Sequence, residues 1–117
     1  MTPGELSRSI DTLASTAAEG AFLADDVADN RTKNTFARVH ARDLGDVVQH
    51  EAEKLNDASA DQADVAAAKK KAIDLADQIG TALGQIQTSP QDQAGAATAG
   101  HRLSTYSDQA SKLSEGL

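Results

Sequence analysis

Apolar residues in this chain recur at alternating steps of three and four through separate stretches, the spacing of helices that pack along their length. The cleanest run is Val65, Ala68, Ala72, Leu75, Ile79, Leu83 and Ile86. Leu6, Ile10, Leu13, Ala17, Gly20, Ala24 and Val27 form a second, thinning from Leu and Ile to Ala and Gly. A third joins Ala96, Ala99, Leu103, Tyr106, Ala110, Leu113 and Leu117. Between them lies the stretch from Phe36 to Leu55. At 100° per residue its Phe36, Leu44, Val47, Val48 and Leu55 share roughly a third of the helix circumference. Ala37, Ala41 and Ala58 extend that arc, which is the expected buried face, while Arg38, Arg42, Asp46, Gln49 and Glu53 gather opposite.

Terminators divide these runs. Thr2-Pro3-Gly4-Glu5 supplies a capping hydroxyl, a proline suited to the first helical position and an acid able to close a capping box. Ser59 with Gln62, and Ser89-Pro90-Gln91-Asp92, offer the same chemistry for later helices. The polar run from Asp29 to Asn34 lacks Gly and Pro, and Asp29 with Lys33 would pair across one turn of a continuous helix. Yet Asn30 or Asn34 tolerates a left-handed turn and Asn30, Thr32 or Asn34 can cap, so a turn is the expected outcome over a continuous helix. Helices are therefore expected over about 3–29, 33–57, 60–88 and 90–116. The predicted fold class is all-α: one domain, an up-down-up-down four-helix bundle with Ala-rich seams, about 40 Å long.

The seams are thin. Twenty-three Ala stand against ten Leu, five Val, four Ile and two Phe among 117 residues. Alanine favours helix and close backbone approach but buries little surface, which suits a slender bundle or an assembly of chains.

Charge narrows the partners. A net charge of −7 disfavours nucleic acid and anionic membranes. Residues 31–42 nevertheless carry four bases and no acid, and residues 43–64 carry seven acids and one base. With no cysteine there are no disulfides or thiolate ligands. Neither a signal-peptide layout at the N-terminus nor a long apolar run is present. The expectation is a soluble, cytoplasmic protein, with signal-independent export left open.

Two ionisable residues, His40 and Glu51, fall inside the apolar arc and require partners. In the expected bundle Lys69 and Tyr106 come to the height of Glu51, so His40, Glu51, Lys69 and Tyr106 form the candidate polar core. Di-iron bundles use Glu-x-x-His, but Ala37, Val47 and Thr98 precede His40, His50 and His101 by three. Asp43, Asp46 and His50 make a sparse, solvated ligand set, and no metal or cofactor is expected. No nucleophile elbow or phosphate loop is present, and no enzyme is predicted. His101-Arg102-Leu103 resembles the start of the exposed histidine motif of histidine phosphotransfer domains, which are four-helix bundles of about this length. Ser104 and Thr105 stand where that motif carries Lys and Gly. The resemblance implies a signalling domain in which His101 receives and passes on a phosphoryl group. The principal expectation is a non-catalytic interaction or structural protein that binds a protein partner or a second copy of itself.

Overall fold

A computed structural model describes residues 1–117 as four helices without strands. They are α1 (Pro3–Ala28), α2 (Asn34–Asp57), α3 (Ala63–Thr88) and α4 (Gln93–Glu115). Short connections reverse the chain each time, giving an up-down-up-down bundle with extents of 46 × 22 × 16 Å.

Each end of α1 follows from local chemistry. Thr2 Oγ1 accepts the Glu5 backbone N–H at 3.1 Å, and Pro3 occupies the first turn, where its missing N–H costs nothing. At the other end Asn30 takes a left-handed conformation, φ 57°. The Arg31 N–H then reaches the Asp26 carbonyl at 2.7 Å and the Asn30 N–H reaches that of Val27 at 3.1 Å, a Schellman closure. Acids at a helix C-terminus oppose the macrodipole. Arg31 offsets them with its guanidinium, 3.1 Å from Asp26 and 3.2 Å from Asp29.

Two helix starts differ from the sequence reading. α3 begins at Ala63 rather than near 60, with Gln62 at the N-cap and no capping by Ser59. α4 begins at Gln93 because Ser89-Pro90-Gln91-Asp92 is spent on a turn, in which the Asp92 N–H donates to the Ser89 carbonyl at 3.1 Å. Proline suits the second position of such a turn. Asp92, not Ser89, then caps α4 by accepting the Gly95 N–H at 2.9 Å.

The helices associate unequally. α1 packs most extensively on α4 and α2 on α3, while α2 and α4 stand on the long diagonal and do not touch. Small residues allow the α1–α4 approach. A Cβ built on Gly100 would lie 3.1 Å from that of Ala24, and one on Gly20 would lie 3.2 Å from Leu103 Cδ1. Ser107 Oγ donates to the Ala14 carbonyl at 2.9 Å, and the Ser7 and Ser114 hydroxyls pair at 2.7 Å, which sets the antiparallel register. Leu6, Ile10, Leu13, Leu55, Ile79, Leu83, Ile86 and Leu103 fill the centre.

Along α1 and α3 every seam residue named from the spacing is buried. On α2 the arc is only half used. Ala37, Ala41, Leu44, Val48, Glu51 and Leu55 are buried, whereas Phe36 is 59% and Val47 41% exposed. The expected burial of Phe36 and Val47 is thus corrected: α3 covers the side of the arc carrying Leu44 and Val48, and α4, which has no contact with α2, leaves the rest open.

Candidate functional site

Two surfaces hold the chemically interesting side chains. The first is the edge of α2 that faces α1. His40 is half-buried there, with Nε2 3.8 Å from Glu19 Oε1, Nδ1 lacking a hydrogen-bond partner, and its ring edge-on to Phe36 at 5.5 Å. Eleven residues on, the Glu51 side chain is 9% exposed and its Oε2 lies 3.5 Å from Lys54 Nζ, one turn along the same helix. That Oε2 has no hydrogen-bond partner. A carboxylate so placed is held by charge rather than by directed bonds, and the half-exposed Lys54 screens it.

The other two members of the expected polar core lie elsewhere. Lys69 Nζ donates to the Ala58 carbonyl at 2.6 Å and does not pair with Glu51. The ammonium sits where the C-terminal carbonyls of α2 are unsatisfied, a favourable place for a cation. Tyr106 is half-buried on α4, packed against the core, and α4 makes no contact with α2. Equal height along the bundle brings Tyr106 to Glu51 only if the α2–α4 diagonal is short, and in this bundle it is the α1–α3 diagonal that closes.

The second surface is a groove of about 640 Å³ between α1 and α4. Ala18, Ala21, Ala97 and Gly100 form its floor, and Phe22, 73% exposed, stands on one wall. His101 lies on the other wall, exposed, with Asp25, Asp29 and Asp108 around the opening. Three carboxylates disfavour a phosphoryl group by like-charge repulsion, while the open position of His101 leaves its imidazole accessible. The spacing of small residues on both helices marks this groove in the sequence, but only the pairing of α1 with α4 assembles it.

Asp43, Asp46 and His50 are all exposed on α2, and no group of three or more His, Asp or Glu side chains is arranged to hold a metal ion. No helix is long and apolar enough to cross a membrane. No family model, curated protein or solved structure matches this chain. Geometry alone therefore carries the functional reading.

Proposed function

We propose that the chain is a non-catalytic protein-interaction or structural module. The observation that carries this reading is the uncovered half of the α2 arc: Phe36, Val39 and Val47 are exposed on one helix of a bundle in which the seams of α1 and α3 are wholly buried. Apolar side chains singly exposed are ordinary, but a run along one helix face, with Phe22 exposed on the neighbouring α1, suits a partner's surface. The acidic surface elsewhere favours a protein partner over nucleic acid or anionic lipid.

A photo-crosslinking residue at position 36, compared with one at exposed Lys70 on α3, tests the reading in native extract. Discrete protein adducts from position 36 that are absent from position 70 support it. Equal or no adducts from both positions count against it.

The exposure of His101 favours a second reading, phosphotransfer. Incubation with phosphorylated response-regulator domains would then yield acid-labile label on the chain, lost in His101→Gln. An unlabelled wild-type chain removes this reading, and the carboxylates around the groove make that the expected result.

A further inference from the structure

Between the first turns of α1 and the last turns of α2 lies a cleft of about 300 Å³, at the small end of the range for ligand sites. Glu5, Arg8, Ser9 and Thr12 line it from α1, and Glu51 and Lys54 from α2. The contact of Glu19 with His40 fixes the register of this antiparallel pair. Eleven residues back from Glu19 stands Arg8, and eleven on from His40 stands Glu51, so the two are level, with Ser9 beside them. The Met1 amine donates to the Ser59 carbonyl, which agrees with the same register.

Opposite charges at one height across two packed helices can join directly, but here they do not. Arg8 pairs with no carboxylate, and Glu51 Oε2 has only Lys54, 3.5 Å away on its own helix, with no hydrogen bond to either oxygen's neighbour across the cleft. The Arg8 Nε–H donates to the Gly4 carbonyl at 3.3 Å, which leaves the terminal N–H groups free. Ser9 is 3% exposed, and its hydroxyl, unlike that of Thr12, makes no hydrogen bond within the chain. A buried carboxylate oxygen and a buried hydroxyl, level with each other, therefore both lack a directed partner, and one donor between them would satisfy both.

The charges around the cleft indicate what carries that donor. Two acidic side chains, Glu5 and Glu51, balance two basic ones, Arg8 and Lys54, so an ion of either sign meets as many like charges as opposite ones. A molecule carrying both signs meets complementary charge at each end.

We propose that this cleft binds a small zwitterion of the α-amino acid class, bridging α1 and α2. Its ammonium donates to Glu51 Oε2 and to the Ser9 hydroxyl, and its carboxylate accepts from the free N–H groups of Arg8. Lys54, whose side chain is 51% exposed, shields Glu51 Oε2 and swings to the ligand carboxylate as the ligand ammonium takes its place. Glu51 lies toward the opposite end of α2 from Phe36, so this site goes beyond the interaction reading and stands or falls separately from it.

Titration of the full chain with glycine and L-serine, followed by its backbone amide resonances, tests the proposal. Resonances around Arg8 and Glu51 are expected to shift together and to saturate below about 20 mM. Glu51→Gln and Arg8→Gln should each weaken binding by about tenfold or more, with circular dichroism still helical. Arg8 is exposed, so its variant keeps the test decisive should Glu51→Gln fail to fold. Methylammonium and acetate each carry one half of the ligand and should bind at least about tenfold more weakly than glycine. Failure of glycine and L-serine to saturate the cleft would mean that water alone bridges Glu51 and Ser9, and overturns the proposal. Methylammonium binding as tightly as glycine would make this a site for a bare cation and overturns it equally, as would glycine binding unchanged in both variants.

Discussion

α1 and α2 are built from similar numbers of residues and similar apolar spacing, yet they meet opposite fates in the bundle. α1 lies between a close neighbour, α4, and the short diagonal to α3, so its whole seam from Leu6 to Val27 is buried. α2 leans on α3 and touches α4 nowhere, so only the side of its arc carrying Leu44 and Val48 is covered. Coverage is thus set by how many neighbours a helix has and how near they come. Where Gly20, Ala24 and Gly100 let backbones approach, the seam closes; where a helix has no neighbour on one side, as α2 has none in α4, apolar surface is left over.

The largest effect expected from this contrast lies on the closed side. Leu103→Ala, at a fully buried side chain seated against Gly20, should destabilise the fold by about 3–5 kcal/mol in chemical denaturation. Leu44→Ala on the covered side of α2 should cost somewhat less, about 2–4 kcal/mol. A loss at Leu44 as large as that at Leu103 would mean that α2 is held as tightly as α1, which breaks the comparison. Asp92→Ala removes the cap that starts α4 and should lower stability by about 1 kcal/mol.

Glycines sharpen the same contrast. A Cβ on Gly45, within α2, meets nothing within 4 Å, so Gly45→Ala should stabilise the protein by about 0.5–1 kcal/mol through helix propensity. Gly100→Ala has the same intrinsic gain, but its Cβ would press on Ala24 at 3.1 Å, and the thermal midpoint should rise less than for Gly45→Ala or fall. The smallest effect belongs to Phe36. Measured at low protein concentration, Phe36→Ala should change stability by no more than about 0.5 kcal/mol, as at other exposed sites. A large loss there would place Phe36 in the core after all.

Helix identity and approximate bounds were legible in the sequence, but the break between α1 and α2 was less so, because Asp29 and Lys33 would pair equally well across one turn of a continuous helix. The three-four spacing marked the buried residues of α1 and α3, Thr2-Pro3 marked the first cap, and of the two asparagines offered for the reversal after α1 it is Asn30 that turns left-handed. Helix starts were less legible at Ser59 and Ser89, because a serine beside a proline or an acid serves a turn as readily as a cap. The partners of Glu51 were not legible. Lys54, one turn away on the same helix, competes with any residue brought in from α3 or α4, and the winner depends on interhelical distances that spacing does not encode.

What this sequence determined by itself was everything that depends on neighbours along the chain: which segments are helical, which way each turn sends the chain, and which stripe of each helix is apolar. These rest on backbone propensity and on the 3.6-residue period, both local properties. Tertiary structure alone decided how much of each stripe is covered, that α1 and α4 enclose a groove beside His101, and that Phe36 and Val47 face outward. Those outcomes follow from which diagonal of the bundle closes, and that is settled by the contest among all four seams for the same small volume of core.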